Sequence, residues 1–105
     1  MEKVQVNDCE LVSAYIKGDE SAFNILVERY KSKVFTTIVL VVKDQYVAED
    51  LMQDTFIKAI KTLRNGRYNE EGKFLPWILR IAHNLAIDYF RRDKRYPNVV
   101  LEDGS

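Results

Sequence analysis

A single cysteine, Cys9, stands in the 105 residues, so neither an intrachain disulfide nor a multi-cysteine zinc site can form. The thiol reads as a small buried or idle side chain in a reducing compartment. Histidine is as scarce. His83 is alone, and Ser13, Ser21, Ser32 and Ser105 have no triad-like company, which leaves no assembled acid, base and nucleophile. His83 falls near the apolar stripe of its segment and reads as a satisfied structural residue. Glu49, Asp50 and Asp54 form a solvated face more readily than a metal site. The chain is therefore expected not to be an enzyme, with no catalytic residue, cofactor or metal. Long apolar runs are missing too. The longest, residues 34–42, is nine residues interrupted by Thr36 and Thr37, about half of the ~20 needed to span a bilayer as a helix. Residues 1–10 carry three acids and no apolar core of a signal peptide. The expectation is a cytoplasmic protein without membrane insertion.

The composition, 47% apolar and 30% charged, suits one ordinary globular domain. A chain of this length buries roughly 65% of the surface that its unfolded form exposes, enough for a modest core without staples. Residues 1–96 are read as that domain, and residues 97–105 as the start of a linker or a tail. Formal net charge is zero, but the average conceals a polarity: residues 1–54 carry a net −4 and residues 55–96 a net +6. The basic half can attract phosphates, while the acidic half faces a basic protein or keeps the domain soluble.

Hydrophobic spacing predicts four helices and an all-α fold, a compact bundle with short connections. Residues 10–17 place Leu11, Val12, Tyr15 and Ile16 on one face, with Asp8 as N-cap and Gly18 beyond the end. Asp19 caps a longer helix in which Phe23, Leu26, Val27, Tyr30, Val34, Ile38 and Val41 recur every three or four residues. Its β-branched end, residues 38–42, would alone suit a strand, but the unbroken 3.6-residue pattern upstream favours helix. After the polar break at residues 43–45, a third stripe comprises Ala48, Leu51, Met52, Thr55, Phe56, Ala59, Ile60 and Leu63, closed by Asn65 and Gly66. Residues 65–73 form a loop. Pro76 suits the first turn of a fourth helix, whose stripe is Trp77, Ile78, Ile81, Ala82, Leu85 and Tyr89 and which runs to about Lys94. The third and fourth helices are expected to share a core of Leu51, Phe56, Ile60, Trp77, Ile81 and Leu85.

Two constellations fall off these stripes. On the third helix Asp50, Gln53 and Asp54, at i, i+3 and i+4, share one surface and offer acceptors to a basic partner, although acids early on a helix also simply complement its dipole. The loop and fourth helix combine Arg67, Tyr68, Lys73, Phe74, Trp77, Arg80, Asn84, Tyr89, Phe90, Arg91, Arg92, Lys94 and Arg95. Rings stack on unpaired bases, cations neutralise phosphates and an amide reads a base edge. Equally, Phe74, Trp77 and Tyr89 could be core, with the cations as ordinary C-terminal charge.

The segments Ala48-Glu-Asp-Leu-Met-Gln-Asp-Thr-Phe56 and Phe74-Leu-Pro-Trp-Ile-Leu-Arg-Ile-Ala-His-Asn-Leu-Ala-Ile-Asp-Tyr-Phe-Arg-Arg92 resemble the promoter-melting domain of bacterial sigma factors of the extracytoplasmic-function group, within the sigma-70 superfamily. The resemblance spans residues 8–95 and includes the opening Gly18-Asp-Glu-Ser-Ala-Phe23. It implies a transcription-initiation role. Asp50, Gln53 and Asp54 match positions that grip the clamp helices of the largest subunit of core RNA polymerase. The loop from residue 66 to 73 and the helix after it match the part that captures a flipped base of the single-stranded non-template minus-ten promoter DNA. The resemblance places Asn84, near the flipped base, with Asp88, Arg91 and Arg92 on the helix that meets this element, and the cations and rings read above add Arg67, Tyr68, Lys73, Lys94 and Arg95 to the expected DNA-binding residues, with Tyr68 or Phe74 as stacking face. An anti-sigma factor is implied as a further partner. Pro76 departs from the small polar residue frequent at its position. Members of the group also carry a helix-turn-helix domain that reads the minus-35 element, and the chain is expected to be one domain of such a factor. The competing readings are a helical protein–protein adaptor without nucleic-acid role and, third, a duplex-binding helix-turn-helix.

Overall fold

A computed structural model of the chain describes residues 6–68 and 73–95, the last three by backbone alone. They form four helices: α1 (Asp8–Ile16), α2 (Glu20–Val42), α3 (Gln45–Arg64) and α4 (Phe74–Arg95). Among the described residues there is no strand, and no helix is long and apolar enough to cross a membrane. The fold class is all-α, as the periodicities require. The proposed linker at residues 97–105 and residues 69–72 of the predicted loop lie outside the described residues.

Local chemistry sets each helix end. α1 starts two residues earlier than expected because Asn7, not Asp8, is its cap: the Asn7 side chain accepts from the Glu10 amide at 3.0 Å. Asp8 is committed elsewhere. At the other end Gly18 adopts φ +116°, a conformation that an L side chain enters only with strain. The Gly18 amide reaches the Tyr15 carbonyl and the Asp19 amide the Ala14 carbonyl, the paired bonds of a Schellman stop. Asp19 immediately caps α2, accepting from the Ser21 amide at 3.1 Å. α2 continues as helix through Val42, so the β-branched run follows the upstream pattern. It ends on Lys43 in the left-handed region, φ 60°, whose amide bonds the Val39 carbonyl at 2.9 Å. Asp44 then caps α3 by accepting from the Tyr46 and Val47 amides at 2.9 and 3.2 Å.

α1 runs antiparallel to α2, since Asp8 meets Arg29 while Tyr15 meets Phe23 at 5.2 Å between ring centroids. α3 returns along α2, with Phe56 edge-on to Phe23 at 6.2 Å and Arg64 near Glu20. The core is Val12, Leu26, Val34, Ile38, Ala48, Leu63, Phe74, Ile78 and their buried neighbours. Thr55, fully buried, keeps its hydroxyl satisfied by donating to the Leu51 carbonyl at 2.7 Å.

The expected core needs correction. Of its six residues only Phe56 is buried, whereas Leu51, Ile60, Trp77 and Ile81 are half-buried and pack around the core, and Leu85 is half-buried. The buried row on α4 is Phe74, Ile78, Ala82 and Ala86, an i, i+4 ridge. α4 packs on both α2 and α3 but more extensively on α2, and that neighbour selects which side of a wide apolar stripe lies deepest.

Candidate functional site

Asp44 caps α3 and fixes where the helix starts. With Ala48, Thr55, Phe56, Ala59 and Leu63 buried, Asp50, Gln53 and Asp54 are left exposed on the opposite side. None of the three side chains has a hydrogen bond or ion pair among the described residues. Three unspent polar groups thus point outward within about 6 Å of helix length. Tyr46, 84% exposed, and Ile57, 49% exposed, continue the same face at helical spacing. The sequence reading missed both. Their signal was available: each falls outside the buried stripe at 100° per residue, which an apolar residue does at a cost unless something covers it.

α4 begins at Phe74, and the carbonyl of Lys73 accepts from the Trp77 amide at 3.3 Å. Pro76 falls in this first turn, where its missing N–H leaves no bond unmade. With Phe74, Ile78, Ala82 and Ala86 inward, the outer side carries Arg80, Asn84, Asp88 and Arg91, all exposed, in steps of three and four residues. Lys73, exposed at the helix entry, precedes the row. Arg92 is exposed about a quarter-turn away. The bounds of α4 include Lys94 and Arg95, whose side chains lie outside the described residues. Asn84 and Arg91 are separated by about 10 Å of helix, two turns.

An aromatic group stands at the head of this row. Tyr68 meets Trp77 edge-on with centroids 4.6 Å apart and planes at 67°, and Trp77 meets Phe74 at 5.6 Å. Tyr68 and Trp77 are half-buried, so part of each ring faces solvent. Phe74 is 1% exposed, which corrects the expectation that it could stack on a base: it belongs to the core. His83 is also corrected, being exposed and not a satisfied core residue. Arg67 is exposed just after α3, where its amide bonds the Thr62 carbonyl and the Gly66 amide bonds that of Leu63, with Gly66 at φ +68°. The geometry thus joins Tyr68 to the start of the α4 row, while the acceptors of α3 form a separate stripe.

Residues 26–96 match the family described as sigma-70 region 2. The chain belongs to that family. The matched stretch takes in all of α3 and α4 and most of α2, and therefore both exposed stripes. α1 and the start of α2 lie outside the matched stretch. Among similar proteins, the RNA polymerase sigma-H factor of Pseudomonas aeruginosa is 37% identical over 102 residues, which cover 94% of this chain and 52% of that protein. The ECF RNA polymerase sigma-E factor of Escherichia coli K12 is 38% identical over 93 residues, 89% of this chain and 47% of that protein. The chain spans about half the length of the curated relatives it matches. A solved structure, an engineered region 2 of sigmaE in complex with GTAAAA, is 35% identical with a TM-score of 0.80, covering 93% of this chain and all of the other.

Proposed function

We propose that this sigma-70 region 2 acts in bacterial transcription initiation, joining core RNA polymerase to the minus-ten element of a promoter and holding one strand of it open. The observation that carries the reading is the outward row of α4, headed by Tyr68 and Trp77, in a fold that closely matches a region 2 in complex with GTAAAA. Rings at one end offer stacking faces to unpaired bases, and exposed cations along the row neutralise the phosphates that follow.

In this reading Asn84 reads a base edge, because an amide presents a donor and an acceptor together. Arg67, Lys73, Arg91, Arg92, Lys94 and Arg95 contact phosphate, Asp88 shapes the row between them, and Tyr68 supplies a stacking face. On α3, Asp50, Gln53 and Asp54 accept hydrogen bonds from basic groups of the clamp helices of the largest polymerase subunit. Tyr46 and Ile57 supply the apolar contact that an interface needs beside its polar groups. The protein works in the cytoplasm, residues 1–96 are one functional domain, and an anti-sigma factor restrains it by covering one of these faces.

The test is binding of the single strand GTAAAA and its one-base variants, with capture of core polymerase as a second arm. Wild type should prefer the single strand to its duplex. Gln53→Ala with Asp54→Ala should weaken polymerase capture at unchanged thermal stability, since truncating exposed polar groups rarely disturbs a fold. No preference among oligonucleotides together with no capture of polymerase would favour a plain helical adaptor instead.

A further inference from the structure

Asp8 is the first residue of α1, yet its carboxylate serves α2. Arg29 donates from Nη1 to Oδ1 at 2.8 Å, and the Tyr30 hydroxyl donates to Oδ2 at 2.6 Å. Side chains of Asp8 and Arg29 are 20% and 23% exposed, so water competes weakly for this charge-assisted pair. From Tyr30 the contacts continue without a break. Its ring packs on Phe74 at 6.0 Å with planes at 32°, Phe74 meets Trp77 at 5.6 Å, and Trp77 meets Tyr68 at 4.6 Å. Close-packed rings of this kind pass a displacement from one to the next, because a packed interior leaves little room to slide. A short hydrogen bond from a phenol to a carboxylate, directional and strong, fixes where that series begins.

We propose that Tyr30 is a positioning residue for the aromatic pair Tyr68 and Trp77: its hydroxyl, anchored by Asp8, holds the Phe74 ring and hence the head of α4 in one placement. The inference rests on the reading of that head as the DNA-facing end. Tyr30 touches no base itself. It acts through a buried ring, and what it determines is selectivity among bases, since a stacking face that can slide accepts several bases equally well. Phosphate contacts by the exposed arginines of α4 are independent of it.

The experiment compares wild type with Tyr30→Phe, which keeps the ring and removes the hydroxyl. Two readouts are taken on the whole chain: the ratio of affinities for GTAAAA and for the same strand with one adenine replaced by cytosine, and the near-ultraviolet circular dichroism of Trp77, the one tryptophan of the sequence. Tyr30→Phe should lower the affinity ratio by about three- to tenfold, the effect of one net hydrogen bond, and weaken the Trp77 band. The salt dependence of binding should stay as in wild type. Asp8→Asn, which retains an acceptor for the phenol, should keep the ratio, and Asp8→Ala should lose it. This second pair decides the matter should Tyr30→Phe fail to fold. A full ratio with an unchanged Trp77 band in Tyr30→Phe overturns the proposal, as does lowered thermal stability with the ratio intact. If wild type itself shows no preference, the promoter reading falls and this inference with it, an outcome distinct from a preference that survives the substitution.

Discussion

Tyr30 sets two functions of one side chain, packing and hydrogen bonding, against its own ionisation. Burial, then the hydrogen bond to Asp8 and that carboxylate's charge, raise its pKa above the ordinary 10.0, with Arg29 opposing. A phenol that ionises later in the native state retains a proton that the unfolded chain has released. Its stabilisation is therefore complete below the ordinary tyrosine value and is lost as pH rises beyond it. An absorbance titration should show the Tyr30 phenol ionising above the ordinary value, and Asp8→Ala should bring it part of the way back, because burial remains. The core correction has its own test at this scale. Ile78, fully buried, should lose about 2–5 kcal/mol on truncation to alanine, as cavity-forming changes do. Half-buried Ile81 should lose about half as much, since less apolar area leaves water there. Equal losses in chemical denaturation would restore the stripe centred on Ile81.

At the scale of the element, helix ends are where this chain spends glycine and where it goes without. Gly18 and Gly66 occupy positive φ after α1 and α3, but Lys43 does so after α2 at φ 60°. A side chain in the left-handed region is strained by roughly 1–2 kcal/mol, and glycine's greater unfolded-state freedom returns part of the relief. Lys43→Gly should thus stabilise the domain by about 0.5–1 kcal/mol, seen as a higher denaturation midpoint with an unchanged slope. Gly18→Ala should do the reverse. No atom lies within 4 Å of an added Cβ there, so any loss is backbone strain less the unfolded-state term, with no clash in it.

For the whole molecule, the zero net charge hides two faces of different chemistry, to which the proposed function gives different partners. Among the described residues the acceptors of α3 and the cation row of α4 have no partner in common, so changes on one should leave the other's binding intact. Gln53→Ala/Asp54→Ala combined with Arg91→Ala/Arg92→Ala should weaken polymerase capture and oligonucleotide binding by the same factors as each pair does separately, the additivity of independent sites. The arginine pair should reduce affinity equally for every oligonucleotide and flatten its salt dependence, because phosphate carries no sequence. Asn84→Ala should instead reduce the preference for one base, by about 1–3 kcal/mol. Affinity across salt concentrations and one-base variants separates these effects.

Four helices, their order and the exposed stripe of Asp50, Gln53 and Asp54 were legible in the sequence by itself. They depend on local terms, a 3.6-residue apolar rhythm and capping side chains such as Asp19 and Asp44, which act within a turn or two of where they stand. The resemblance of the α3 and α4 motifs to a sigma-factor domain was legible for a related reason, since both motifs lie within single helices. What only the tertiary structure decided is which apolar residues lie deepest. Phe74 could pass for a stacking ring and Ile81 for core because a wide stripe does not say which neighbour it meets, and the packing of α4 on α2 made that choice. Asp8 failed as a predicted cap for the same physical reason. Its partners Arg29 and Tyr30 lie 21 and 22 residues away, and an interaction that distant along the chain leaves no periodicity behind it; it exists only once α1 has folded back on α2.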